Sequence, residues 1–296
     1  MREIGGWFGL TDRVGEQHTA LILGCPADDA ATGRSGASAG PAAIRRWAES
    51  AEAIDEAGRP VSGLQVRDLG DVTLDGPSWP AIEAAAREAL RRQPDGFLIG
   101  LGGDHSVTPP LVAAVADRHP DLAFLMLDAH ADCFDIYDGD RNSHACVVRR
   151  VWDTVGVEAG STGLVGLRSF AHAELDSIGE AGLVITASEW NAAGSEETAS
   201  RIFELVGSSP LYVSLDIDVL DPAAAPGTGY PVAGGPDCRA VLDLLTALWG
   251  ATRIVGLDLV EVAPALDPSD STAAVAAHVL LQVLAHVSRR AAGGSE

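Results

Sequence analysis

From residue 19 onward, short runs of apolar residues alternate with longer Ala-rich segments whose apolar positions recur at helical spacing. The runs at 19–24, 65–69, 97–101, 123–128, 162–167, 183–186, 211–216 and 253–258 are four to six residues long, the length of buried strands. The segments at 41–55, 78–92, 107–118, 144–155, 170–178, 195–206, 236–248 and 271–288 predict helices. Strand alternating with helix predicts an α/β fold with a mainly parallel sheet, because the returning helices cover both of its faces. No Pro-, Gly- and Ser-rich linker and no internal repeat divides the chain, so residues 1–296 are read as a single domain.

Acids and imidazoles gather where the apolar runs end. Gly102-Gly103-Asp104-His105 follows one run, and Asp128-Ala129-His130-Ala131-Asp132 follows the next. Asp216-Ile217-Asp218 closes a third, and Glu261 stands just past a fourth. In parallel α/β sheets the carboxyl ends of the strands form the ligand crevice, so four distant regions are expected to share one rim. Alternate residues of a strand share a face, which lets Asp128 and His130, or Asp216 and Asp218, point at one place.

His105, Asp128, His130, Asp132, Asp216 and Asp218 comprise two imidazoles and four carboxylates, with no thiolate. Such a set suits hard or borderline divalent ions, Mn²⁺ ahead of Zn²⁺. Four carboxylates exceed the needs of one ion; two of them shared between two cations would hold the metals roughly 3.5–4 Å apart. Each motif alone has a plainer alternative. Asp-x-Asp after a strand is commonly a turn or helix cap, and a lone His can be a satisfied structural imidazole. Together, four carboxylates buried side by side without cations would repel one another too strongly to stay ionised.

Composition narrows the partners. The formal net charge is −22, and all 20 basic residues are Arg. Such a surface repels nucleic acid and anionic membranes, yet tolerates metal ions and cationic substrates; solubility alone is the simpler reason for it. Apolar stretches such as 97–101 and 123–127 stop far short of a membrane span. Residues 1–6 show no basic region leading into an apolar run, so no signal peptide is expected. Cys25, Cys133, Cys146 and Cys238 form no CxxC pair, as expected of reduced thiols in a cytoplasmic protein.

Longer motifs surround these residues in a fixed order. They run Gly24-Cys25-Pro26, Arg34-Ser35-Gly36, Gly40-Pro41-Ala42-Ala43-Ile44-Arg45, and Asp68-Leu69-Gly70-Asp71-Val72. After the two metal-type loops come Ser214 to Pro222, then Ala225-Pro226-Gly227-Thr228-Gly229-Tyr230-Pro231, Gly234-Gly235 and Glu261-Val262-Ala263-Pro264. Through nearly the whole chain this set resembles the ureohydrolase family, which includes the arginases and agmatinases. The resemblance implies a three-layer α/β/α sandwich with a mainly parallel sheet, two Mn²⁺ per chain, and a homotrimer or homohexamer. It also implies hydrolysis of a small guanidino substrate to urea and an amine.

Carried over position by position, the resemblance gives one ion to His105, Asp128, Asp132 and Asp216. The other falls to His130, Asp128, Asp216 and Asp218, with Asp128 and Asp216 as bridges. Asp132 would orient the nucleophile, and His144, in Asn142-Ser143-His144-Ala145, would shuttle protons. Glu261 would pair with the guanidinium, and Thr228 would add a hydroxyl near the urea nitrogens. The plainer alternatives are a surface imidazole at a helix start for His144 and an ion pair with Arg253 for Glu261.

The substrate is less defined. Asn142-Ser143-His144 is similar to agmatinases and guanidino-acid hydrolases rather than to arginases, but Ala145-Cys146 departs from the Gly-Thr that follows in agmatinases. The acidic loop 135–140 suits a cationic tail such as the amine of agmatine, whereas Arg141 and Arg168 could receive a carboxylate. Agmatine, giving urea and putrescine, is the substrate expected. Guanidinobutyrate, guanidinopropionate, arginine and a specialised guanidino metabolite are the alternatives. Two further readings are a metal-binding relative without catalysis and a one-metal, deacetylase-like hydrolase. Cys133 and Cys146 are expected as packed side chains, and Trp7, Trp47 and Trp190 as core or interface aromatics. His18, His119, His172, His278 and His286 need no special role.

Overall fold

Eight strands appear in the computed structural model, which describes residues 6–10 and 18–293. They are β1 (His18–Cys25), β2 (Leu64–Asp71), β3 (Phe97–Gly102), β4 (Ala123–Leu127), β5 (Thr162–Leu167), β6 (Leu183–Thr186), β7 (Pro210–Asp216) and β8 (Arg253–Val260). Each begins within one residue of its expected start. The expectation of no signal peptide rests on residues 1–6, of which 1–5 lie outside the described residues, as does the His18 side chain.

The strands form one sheet in the order β2-β1-β3-β8-β7-β4-β5-β6, and every neighbouring pair is parallel. Central strands β4, β5 and β7 are buried at every residue, so they read as continuous apolar runs. Edge strand β2, Leu-Gln-Val-Arg-Asp-Leu-Gly-Asp, mixes buried and exposed positions instead. The order matters for chemistry. β3 and β4 are consecutive in sequence, yet β8 and β7 lie between them, so the winding reverses there. A reversal opens a crevice at the carboxyl ends of the strands. The four strands around it, β3, β8, β7 and β4, are those that the acid and imidazole motifs follow.

Helices cover both faces, giving the three-layer α/β/α sandwich that the resemblance implied. One face packs Ile44 of α1 (Gly40–Glu49), Ile202 of α7 (Ser195–Val206), Leu244 of α8 (Cys238–Ala251) and Leu280 of α9 (Ser271–Gly293). The other packs Ile82 of α2 (Ser78–Arg92), Leu111 of α3 (Thr108–Ala116) and Val148 of α4 (Val147–Arg150). The stretch Ser271–Arg290 is long and apolar enough to cross a membrane by length and composition, a property the reading of shorter apolar runs overlooked. It is 67% buried inside the fold, as a core helix is.

Several helices differ from expectation. The segment read as a helix at 144–155 is a 3₁₀ turn (His144–Cys146), one α-turn (α4) and a π-turn (Val151–Val155). The segment at 170–178 shrinks to a 3₁₀ turn and α5 (Leu175–Ile178), which leaves Phe170 on a loop, 48% exposed. A seven-residue helix, α6 (Ala187–Ala193), was not expected, although Thr186 and Glu189 form a capping box at its start. Trp7 and Trp190 are core residues, each 1% exposed, whereas Trp47 is a surface residue that donates to Asp270.

Two of the family-like blocks turn out to be structural. Arg45 of α1 donates twice to Asp68, at 2.7 and 2.9 Å, and also to Asp71, so it clamps the end of β2. Trp7 donates to the same Asp68 at 2.6 Å. At Gly103 the chain crosses so close to Ala27 that a Cβ would stand 1.7 Å from the Ala27 carbonyl oxygen. Only glycine lets β3 end against that loop and turn His105 into the rim.

Candidate metal centre and catalytic pocket

The six acid and imidazole residues meet at the crevice. His105 Nδ1 lies 3.1 Å from Asp128 Oδ2, 3.1 Å from Asp132 Oδ2 and 3.4 Å from Asp216 Oδ2. His130 Nδ1 lies 3.0 Å from Asp218 Oδ2 and 3.5 Å from Asp128 Oδ1. Two overlapping triads result, His105–Asp128–Asp132 and Asp128–His130–Asp218, each with its donor atoms within 4.8 Å of one another. Asp128 is common to both.

Local turns aim these side chains. Asp128 Oδ1 accepts from His130 N at 2.6 Å, and Asp216 Oδ1 accepts from Asp218 N at 2.8 Å. In both Asp-x-(His/Asp) motifs the first acid therefore spends one oxygen on an Asx-type turn and turns the other inward. The plain reading of Asp-x-Asp as a cap and the ligand reading are both met, by different oxygens. Asp132 and Glu261 hold positive φ angles of 47° and 64°, a strained conformation for side chains of this size.

A buried chain orients His105. Its Nε2 stands 2.9 Å from Ser214 Oγ; Ser214 donates to Asp258 Oδ1 at 2.6 Å, and Tyr212 donates to Asp258 Oδ2 at 2.8 Å. Because the Ser214 proton is committed to a carboxylate, its oxygen accepts from Nε2–H, leaving a lone pair on Nδ1. That lone pair faces three carboxylates. Neither His105 Nδ1 nor Asp128 Oδ2 has a hydrogen-bond partner, although both are buried and only 3.1 Å apart. Two electron-rich atoms facing each other without a proton in line are what a cation between them would require, so the residues fit a metal.

The charges give the same answer. Burial, then repulsion from Asp218 and Asp128, pushes the Asp216 carboxyl well up; burial, then Asp128, lifts Asp218 to about 6. Burial opposes a charge on His130, but hydrogen bonds to Asp128 and Asp218 outweigh it and raise the imidazole to about 12. The cluster holds on to protons because it lacks positive charge.

A cavity of about 230 Å³ opens onto the cluster, lined by His130, Asp132, Asp216, Asp218, His144 and Glu261 among others. Glu261 Oε1 accepts from His105 N at 2.9 Å and meets His144 Nδ1 at 3.3 Å. Among the described residues no hydrogen bond engages its Oε2. Arg253 begins β8 at the opposite end of that strand, so it is no partner for Glu261. His144 is a pocket residue rather than a surface imidazole, its side chain 12% exposed. Burial lowers its basicity, but Glu261, Asp132 and Asp104 outweigh that and raise it above the ordinary histidine value.

Several other residues singled out in the sequence lie off the cavity wall or are already paired. Thr228 is 1% exposed and does not line the cavity; its Oγ1 is buried without a partner and its carbonyl accepts from Arg34. Arg168 is committed to backbone carbonyls, those of Asp218, Val219 and Val232 among them, and Arg141 pairs with Asp135. Neither lines the cavity, and among the described residues no arginine does. Asp135 is neutralised by Arg141 and Arg150, so the acidic loop contributes Tyr137 rather than a charge. Burial pushes the Cys133 thiol up, and the Cys146 thiol to about 11, which keeps both neutral.

A further acid on the cavity wall is Glu174, which the sequence did not set apart. It accepts from Cys133 N and Ala171 N, and burial raises its carboxyl to about 7. Phe134, Tyr137, Phe170 and Tyr230 supply aromatic walls. Tyr230 lies in a motif quoted above and Tyr137 in the acidic loop, but nothing in a single sequence marked any of the five as a cavity residue, because separate segments meet there only in the fold.

Fold and pocket together define a three-layer α/β/α protein with a cation-seeking centre beside a small-molecule cavity. Residues 18–286 match the arginase family model. The chain is 34% identical over 275 residues to an agmatinase of Bacillus cereus, covering 91% of this chain and 92% of the relative. It is 35% identical over 281 residues to the proclavaminate amidinohydrolase of Streptomyces clavuligerus, covering 92% and 89%. A solved proclavaminate amidino hydrolase from that organism superposes with a TM-score of 0.87 at 31% identity, covering 97% of this chain and 98% of the other. A hypothetical agmatinase from Burkholderia thailandensis superposes with a TM-score of 0.85 at 35% identity, covering 94% and 88%. The chain belongs to the arginase family. It is a metal-dependent hydrolase of amidino C–N bonds.

Proposed function

We infer that this chain is a two-manganese agmatinase, cleaving agmatine to urea and putrescine in the cytoplasm, and that residues 1–296 form one catalytic domain of a homotrimer or homohexamer. The observation that carries the substrate is the charge of the cavity, whose wall includes Asp132, Glu174, Asp216, Asp218 and Glu261 and, among the described residues, no arginine to receive a carboxylate. The aromatic walls suit a methylene chain, and Glu174 is an acid of the same wall that could receive the distal ammonium.

His105, Asp128, Asp132 and Asp216 would hold one Mn²⁺, and His130, Asp128, Asp216 and Asp218 the other, with Asp128 and Asp216 shared. Two dications held there would acidify water enough to make it a nucleophile at neutral pH. Asp132 orients that water by accepting a hydrogen bond. Glu261, its Oε1 held by His105 N, offers Oε2 to the planar guanidinium and fixes its carbon opposite the attacking oxygen. A tetrahedral species forms, and His144 supplies a proton to the departing amine. The shared position of Asp128 in two triads favours this reading over a one-metal hydrolase.

A release assay with the Mn²⁺-loaded protein tests the substrate, comparing agmatine, arginine, 4-guanidinobutyrate and 3-guanidinopropionate for urea. Agmatine should give the highest kcat/KM; preference for a carboxylate-bearing substrate would overturn the assignment. A ring-bearing guanidino compound belongs in the same screen, since identity to the proclavaminate enzyme, 35%, matches that to the agmatinase, 34%.

A further inference from the structure

His144 has two ring nitrogens, and only one of them faces the reacting centre. Nδ1 meets Glu261 Oε1 at 3.3 Å, and a carboxylate can only accept, so Nδ1 carries the proton. On the other side Nε2 lies 3.3 Å from Thr32 N and 3.0 Å from Thr32 Oγ1. A backbone N–H can only donate, so Nε2 holds the lone pair in this arrangement. If Nε2 gains a proton it points at an N–H it cannot bond. Of the two groups at Nε2, only the Thr32 hydroxyl can reverse, donating to the neutral ring and accepting from the charged one. Beyond it, Tyr230 OH stands 3.3 Å from Thr32 Oγ1, on a side chain 41% exposed.

This contact is built rather than incidental. Tyr230 packs so closely on Gly33 that a Cβ there would stand 2.3 Å from its ring. Its ring also lies 5.8 Å from that of His144, tilted by 31°. Arg34 ties the two loops together by donating to the carbonyls of Thr228 and Gly229, at 2.7 and 3.2 Å. Ala30 N is anchored to Asp104 Oδ2 at 3.0 Å, which fixes the Thr32 loop to the end of β3.

We propose that Thr32 and Tyr230 are positioning residues that connect the outer nitrogen of His144 to solvent and so let the ring relay protons through both nitrogens. The proposal rests on the proton-transfer role given to His144 above. As the leaving amine takes the Nδ1 proton, Nε2 takes the Thr32 hydroxyl proton, which Tyr230 replaces and water replaces in turn. The reverse passage carries away the proton lost by the attacking water. Over one turnover the two cancel, as they must when a guanidinium and water become urea and an ammonium.

The test uses the Mn²⁺-loaded full-length enzyme with saturating agmatine, in a weakly metal-binding buffer of pKa near 7, at low and high concentration. Thr32→Val should lose roughly 10- to 100-fold in kcat at low buffer, a share of what general acid–base catalysis supplies, with KM little changed. Rising buffer should restore turnover, because the buffer then serves the outer nitrogen directly. Thr32→Ser should stay within about threefold of the parent enzyme, and Tyr230→Phe should lose less than Thr32→Val and respond to buffer in the same way. A Thr32→Val defect that buffer does not restore and that Thr32→Ser shares would overturn the relay. So would unchanged turnover in both Thr32→Val and Tyr230→Phe while His144→Asn is impaired. Full activity of His144→Asn would instead overturn the role of His144 itself.

Discussion

Replacing Ser214 by alanine takes away the acceptor that holds the outer nitrogen of His105. Both residues are wholly buried, and the Nε2–Oγ contact is 2.9 Å, so no water is at hand to replace the lost hydroxyl. Leaving a buried N–H unsatisfied costs about 1–3 kcal/mol. The ring can avoid that cost by moving its proton to Nδ1, where it would occupy the position facing Asp128, Asp132 and Asp216. Either outcome weakens the first metal position by roughly 5- to 150-fold, which brackets the 10- to 100-fold typical of lost outer-shell partners. His130 belongs to the other triad and has no link to Ser214, so the second position should change by less than about threefold. Calorimetric titration of Mn²⁺ into the metal-free variant would resolve the two steps. Parent-like affinity at both steps, or weakening confined to the His130 step, would refute the orientation of His105 by Ser214.

Three further outcomes are expected. His144→Asn should keep its metals and lose about 10²–10⁴-fold in turnover; parent-like urea release would make His144 a wall residue only. Glu261→Gln keeps size but loses charge, so KM should rise and turnover fall with metal content intact; loss of metal with the charge would move Glu261 into the metal shell. The third concerns pH and lies away from the site. Burial and then Arg289 hold His286 at about 4, against 6.5 in a free chain. A depressed histidine stabilises the fold fully above pH 6.5, and that contribution is lost as pH falls toward 4. Discounted for partial exposure, it amounts to at most ~2 kcal/mol. His286→Gln should therefore lose less of its urea midpoint between pH 6.5 and 4 than the parent; parallel losses would count against a neutral buried His286.

The sheet was legible because a strand covered on both faces is buried along its whole length and draws mostly apolar residues, as β4, β5 and β7 do. The segment after Asp132 was not. Its residues 144–155 carry helical composition, but the chain there passes from a 3₁₀ turn through one α-turn to a π-turn while presenting His144 to the cavity. Helix α6 could have been found from Thr186 and Glu189, a capping pair that sits in plain sight before a short Ala-rich stretch. The inner rim was readable for a different reason: Asp128, His130 and Asp132, and Asp216 and Asp218, are spaced two residues apart at strand ends, and His105 and Glu261 stand just past two more. The outer cavity depends on loops. Thr32, Phe170, Glu174 and Tyr230 come from three of them, and only the fold brings them into reach. Thr228 lies in the expected motif, with its hydroxyl buried and without a partner.

The most direct test of a two-ion centre is to measure manganese per chain and agmatine-dependent urea release on the same samples, as Mn²⁺ is added back to metal-free protein. Turnover should remain near zero until the second ion binds and should plateau at two ions per chain, with Asp128→Asn failing to hold either tightly. Full turnover at one ion per chain, or two tightly held ions in Asp128→Asn, would contradict the shared centre on which the account rests.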